Sequence, residues 1–177
     1  MRITENRVYF WAGPLSNWVK VKGGILVPGK YNFDGETDFR LPTSEHVFMF
    51  LKATFFHDPG IAKSIMQEES PKEAKRLGRR VQDFEEDKWK EYREIAMWKA
   101  ISLRYKSDPS FQKYLVDERF RGKVFVEANP YDMIWSCGYL EDDPRCDMPE
   151  NTWPGLNLLG KLLTKLRDEK LGRAYLD

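Results

Sequence analysis

Histidine and cysteine are scarce, two of each in 177 residues: His46, His57, Cys137 and Cys146. They show neither CxxC nor HxxxH spacing, and on one helix the two histidines would stand ~16 Å apart along the axis, so no metal site is expected. The cysteines are read as free thiols of a reducing compartment rather than a structural disulfide. A charge of one sign is missing too, because 29 Lys and Arg face 28 Asp and Glu for a net +1. That balance excludes the broad basic footprint of a dedicated nucleic-acid binder, though it can hide a local basic pocket. No run approaches the ~20 apolar residues of a bilayer span, so no membrane is expected as a partner. The opening stretch MRITENRVYFW lacks the apolar core and small-residue cleavage site of a signal peptide, and a cytoplasmic protein is expected. Repeats, low-complexity tracts and linkers are absent as well.

Enough remains for a core, with 41% hydrophobic and 14% aromatic residues. The first forty residues look like strands and turns. Residues 8–11 form a β-branched and aromatic run, 18–21 alternate apolar and polar, and Gly23-Gly24 leads into 25–27. Residues 29–35 read as a hairpin or a mobile loop. From Pro42 the period becomes helical, with Thr43 or Ser44 as cap and Val47, Phe48, Leu51 and Phe55 as an apolar stripe. Further helices are expected from about Ile61, over 72–81 behind Ser70-Pro71, from Asp87 to Asp108, and after a Ser110 cap. Residues 123–128 read as a strand and 142–154 as an acidic, proline-rich loop. A last helix runs from about Leu156 to a stop at Gly172. The class is α+β: a single compact, mostly helical domain over 1–177 with a small N-terminal β element.

Four segments carry chemistry. Glu45 and Lys52 are two helical turns apart and share a face with Phe48 and Met49 between them. A carboxylate and an amine beside apolar side chains suit acid, base or nucleophile, although a solvated amphipathic helix explains the same spacing. Asp132 and Trp135 follow a strand and the Asn129-Pro130 turn. They fit a carboxylate and a stacking indole at a cleft, or a capping aspartate and a core tryptophan. Leu77-Gly78-Arg79-Arg80 offers an arginine fork for phosphate behind a glycine that permits close backbone approach, or a glycine C-cap. Gly155 and Asn157 open the last helix, where a glycine loop leading to a helix N-terminus can bind phosphate.

In order, these motifs resemble the NADAR superfamily, which includes YbiA-like N-glycosidases. The resemblance begins at Phe10 and Gly13-Pro14-Leu15-Ser16-Asn17-Trp18, and continues through Pro42-Thr43-Ser44-Glu45-His46 with Lys52. It then takes in Leu77-Gly78-Arg79, and Trp89, Met97, Ala100 and Lys106. Val126-Glu127 with Asp132 and Trp135 follows, and last Gly155-x-Asn157-x-Leu159-Gly160-x-Leu162-Leu163-x-x-Leu166-Arg167. Departures are Ser136-Cys137, where the family has glycine and often an acid, and extra sequence around 25–39 and 141–152.

The resemblance implies a mostly helical α+β fold and hydrolysis of a C1′–N bond in a phosphorylated riboside. Glu45, Lys52 and Asp132 are then the catalytic candidates, and Trp135, Arg79, Asn17, Gly155 and Asn157 the substrate-binding ones. Two substrates fit: a riboflavin-pathway ribosylamine phosphate, or ADP-ribosylated guanine, with nucleic acid as carrier of the modified base. Lys52 would form a Schiff base with C1′ while Glu45 moves protons; a rival route uses Glu45 and Asp132 as paired carboxylates. No metal or redox cofactor enters either route. A non-catalytic ADP-ribose or nucleotide reader is the alternative of another class, and retention of both Glu45 and Lys52 argues against it.

Overall fold

The computed structural model describes residues 1–173. In chain order the elements are β1 (Arg2–Ile3), β2 (Arg7–Phe10), β3 (Ile25–Val27), β4 (Phe39–Leu41), α1 (Ser44–Phe55), α2 (Pro59–Gln67), α3 (Pro71–Gly78), α4 (Glu86–Ser107), α5 (Pro109–Leu115), β5 (Val124–Glu127) and α6 (Leu158–Arg173). Helices prevail over two small sheets, the α+β class expected. None of the helices described is long and apolar enough to cross a membrane. The chain divides into two compact units, residues 17–109 and the pair of segments 1–16 and 110–177.

In the unit of residues 17–109, α1 is the central element and packs against α2, α3 and α4. Its start follows from sequence: Thr43 caps it, accepting from the His46 amide. Ten consecutive residues of α1, from Ser44 to Ala53, are buried. A helix apolar all round is the ordinary occupant of such a place; this one carries Glu45, His46 and Lys52 into it. β3 and β4 form an antiparallel pair with Ile25 opposite Leu41. Their connection, read from sequence as a hairpin or mobile loop, contains a 3-10 turn at Gly29–Tyr31. Residues 18–21, with their alternating pattern, form no strand; the Val21 amide instead donates to the Pro42 carbonyl. α3 stops at Gly78 rather than at 81, and α5 begins at Pro109, whose fixed φ suits a first helical position better than the Ser110 cap expected.

The other unit is built on β2. It pairs antiparallel with β1 and parallel with β5, Arg7 opposite Val124 and Phe10 opposite Glu127. Val8, Tyr9 and Phe10 are all buried. Among the described residues no strand covers the far edge of β5. Instead α6 and the residue before it supply side chains: Thr164 Oγ1 accepts from the Phe125 amide, and Asn157 Oδ1 from the Glu127 amide. Asn157 Nδ2 donates back to the Phe125 carbonyl. Unpaired strand groups are costly when buried, and here a helix closes them. The helix can lie this near only because residue 160 is glycine, since a Cβ there would meet the Phe125 carbonyl oxygen at 2.2 Å. α6 starts at Leu158, not Leu156, because Asn157 has a left-handed φ of 50°. It continues through Gly172 to Arg173, so that glycine does not end it. Cys137 and Cys146 are free and buried, their sulfurs 3.7 Å apart. Burial pushes both thiols up, Cys146 to about 12, which keeps them neutral.

Candidate active site

α1 brings Glu45 and Lys52 to one face, and both are nearly closed off, at 5% and 9% exposure. Met49 lies between them, and α3 closes onto it. A Cβ at Gly78 would come within 2.1 Å of Met49 Sδ. Gly78 has no left-handed φ, so its work is helix–helix approach, not the C-cap or phosphate contact read from sequence. That approach sets Arg79, the next residue, where its charge acts on Lys52.

The Lys52 ammonium sits 4.0 Å over the Phe84 ring and 5.6 Å from the Trp89 ring. Trp89 in turn packs on Phe48 at 5.3 Å. Burial drives the amine below its ordinary value of 10.5; the Arg79 guanidinium pushes the same way, and Glu86 opposes. Desolvation penalises the charged form of an amine, so this lysine gives up its proton more readily than an exposed one. Phe84 and Glu86 escape the sequence reading because residues 82–86 fall between two expected helices with no element of their own. Stopping at Gly78, α3 frees 79–85 as a loop. A lone aromatic within Asp83-Phe84-Glu85-Glu86 was the available signal.

Asn17 stands at the start of α1. Its carbonyl accepts from the Glu45 amide at 3.0 Å and its Nδ2 donates to Met97 Sδ at 3.1 Å. Its Oδ1 is buried and finds no partner among the described residues. Asn17, Glu45, Lys52 and Arg79 thus share one unit.

Asp132, Trp135, Gly155 and Asn157 belong to the other. Asp132 Oδ1 accepts from the Ile134 and Trp135 amides, which is the capping role its sequence position allows. Trp135 is half-buried. Ser136 Oγ lies 2.5 Å from the carbonyls of Asn129 and Asp132 and ties this turn. The amides of Leu156, Asn157, Leu158 and Leu159 donate to the carbonyls of Met133, Ser136, Ile134 and Trp135. The helix N-terminus expected to cradle phosphate is therefore occupied by protein. A Cβ at Gly155 would strike the Ser136 carbonyl oxygen at 2.2 Å, so this glycine serves chain crossing, while Asn157 is fully buried against β5. No group of three or more metal-ligating side chains is found among the described residues.

His46, beside Glu45, is buried with Nδ1 2.8 Å from Thr43 Oγ1 and Nε2 unpartnered among the described residues. Burial lowers its pKa and Lys20 helps, while Glu68 and Glu69 pull the other way. A depressed histidine stays neutral in the fold, so the unfolded chain takes up a proton first as pH falls through ~6.5. Stability should thus drop from pH 7 toward pH 5, by at most ~1.4 kcal/mol per pH unit for this one proton. Urea melts across that window should slope less in His46→Gln; an equal slope would remove His46 as the cause.

The NADAR domain family matches residues 9–170. N-glycosidase R617 of Acanthamoeba polyphaga mimivirus is 35% identical over 140 residues, 79% of this chain and 81% of that protein. Protein irg-1 of Caenorhabditis elegans is 34% identical across 71% of this chain, which spans 59% of it. The chloroplastic riboflavin biosynthesis protein PYRR of Zea mays is 34% identical, but the chain spans only 20% of its length. The NMR structure of the E. coli protein YbiA shares the fold, with a TM-score of 0.67 over 99% of this chain and 90% of that one, at 24% identity. With its ordered motifs and a match over most of its length, the chain belongs to the NADAR family.

Proposed function

We propose that this protein hydrolyses the C1′–N bond of a phosphorylated ribosylamine carrying a pyrimidine-type base, with Lys52 as nucleophile and Glu45 as proton carrier. At the coarser level the chain is an N-glycosidase, a hydrolase of N-glycosyl compounds, in keeping with its family and its likeness to R617. One observation carries the finer reading: the Lys52 amine, enclosed by aromatic rings and beside Arg79, has its pKa lowered. A neutral amine is what an attack on carbon requires.

In the proposed course the sugar ring opens to an imine at C1′, and the Lys52 Nζ lone pair adds to that carbon. Glu45 delivers a proton to the base nitrogen, and the C1′–N bond breaks with its electron pair leaving on the base. The resulting lysine imine takes up water, which returns the amine and releases ribose phosphate. The net change is one water consumed, with no oxidation or reduction. Asn17 Oδ1, a buried acceptor without a partner among the described residues, is assigned to a ribose hydroxyl, and Arg79 to phosphate. Lys52 would be idle in the paired-carboxylate route, and simple nucleotide binding gives its lowered pKa no task.

Likeness to the maize riboflavin protein supports the smaller, riboflavin-type riboside over ADP-ribosylated guanine. The test is a side-by-side kcat/KM comparison of the two, since discrimination is a ratio of those constants. The ribosylamine phosphate should be preferred. A clear preference for the ADP-ribosylated base would reverse the order and leave the N-glycosidase standing.

A further inference from the structure

A pocket of about 280 Å³ opens in the unit of residues 17–109, a quarter-turn around α1 from Lys52. Tyr31 and Phe33 from the β3–β4 connection line it together with Lys30, Phe55, His57 and Tyr92. Neither Glu45 nor Lys52 lines it.

One lysine, Lys30, lines it, and a second, Lys99, contacts two of its lining rings. The Lys30 ammonium lies 5.2 Å from the Tyr31 ring centre and the Lys99 ammonium 5.3 Å from the same ring. Lys99 also donates to the Tyr92 hydroxyl at 2.8 Å. Neither lysine forms an ion pair among the described residues. Both ammonium groups approach one ring, so an anion bound beside Tyr31 would be attracted by two positive charges. The aspartates of the connection make no ion pair with them among the described residues, and an oxygen of each serves the backbone instead. Asp38 Oδ1 accepts from the Gly29 amide at 2.7 Å, and Asp34 Oδ1 from the Glu36 and Thr37 amides. These bonds also hold the connection in shape before any ligand arrives.

The walls are aromatic. Phe55 and Tyr92 stack at 4.4 Å with their planes 9° apart, and Phe33 leaves 47% of its surface exposed. Flat rings beside unpaired cations suit a planar ring that bears a phosphate. The volume lies just under the ~300–1,000 Å³ of drug-sized ligand sites, which fits a mononucleotide and not a dinucleotide. We propose that this pocket is a second, non-catalytic site for a nucleoside monophosphate.

The test is calorimetric titration of the full chain with AMP, with folding of each variant checked by circular dichroism. AMP should bind the wild-type chain, and Lys30→Ala and Tyr31→Ala should each weaken it about tenfold or more. Lys30→Ala guards against a folding defect in Tyr31→Ala, since Lys30 is exposed and its side chain makes no hydrogen bond or ion pair among the described residues. Lys52→Ala should bind AMP as the wild type does, and adenosine without phosphate should bind far more weakly. No binding at millimolar AMP, unchanged affinity in Lys30→Ala, or loss in Lys52→Ala instead would each overturn the site. Turnover reads the source of the nucleotide: Lys30→Ala should keep its kcat/KM on ribosylamine phosphate. A fall confined to ADP-ribosylated guanine would identify the bound group as the tail of a long substrate, and no fall as a free nucleotide. AMP binding needs no turnover at Lys52, so this site and the proposed reaction fail separately.

Discussion

Lys52→Ala should lose well over ~100-fold in turnover while keeping its fold, because the proposed reaction has no other nucleophile. Lys52→Arg should be as inactive. Arginine keeps the charge but cannot become neutral in the working range, so the pair of variants separates attack by an amine from simple electrostatic support. Borohydride added during turnover should trap a covalent adduct whose mass maps to Lys52. A wild-type-like kcat in Lys52→Ala would remove the amine from the mechanism. The pH profile gives a further readout with a defined sign. Activity needs the neutral amine, so the acidic limb of kcat/KM follows its deprotonation. Arg79 helps burial lower that pKa; Arg79→Ala should therefore move the limb to higher pH. Glu86→Gln removes the opposing influence and should move it to lower pH.

Asn157→Leu should cost the most stability of any change described, about 4 kcal/mol. Two buried backbone groups of β5 lose their partners, at ~1–3 kcal/mol each, and a branched side chain must adopt a left-handed φ, at ~1–2 kcal/mol. For a chain of this size that is a fall in Tm of about 10 °C. Asn157→Asp keeps the acceptor for the Glu127 amide and tolerates the φ, so it should lose less. Its folded fraction should retain near-wild-type kcat/KM if the residue braces β5. A large rise in KM with unchanged stability would instead return Asn157 to the substrate.

Local signals carried much of this fold. Thr43 before a helical period, Ser70-Pro71, and the long apolar spacing after Asp87 each mark an element that the structure contains. The Glu45–Lys52 face was legible for the same reason, since helix geometry turns a spacing of seven into a shared side. What escaped depends on contacts between distant residues. Gly78 reads as a cap in isolation, and only the approach of Met49 explains it. Asn157 reads as a ligand-binding amide until β5, thirty residues earlier, supplies its partners. Phe84 looks like a solvated aromatic among acids, and its place over Lys52 follows from where α3 stops.

The parallel pairing of β2 with β5 also sets a clock. Arg7 leaves the ribosome early, and its neighbour in the sheet, Val124, is added much later. At ~5–20 residues per second the nascent Val8-Tyr9-Phe10 strand waits on the order of 10 s for its partner. Through that interval an apolar edge, paired on its other side with the two residues of β1, is open to any other extended chain. Slow translation or crowded synthesis should therefore harm this protein through misassembly at its N-terminal strand, and chaperone capture there should rescue the yield.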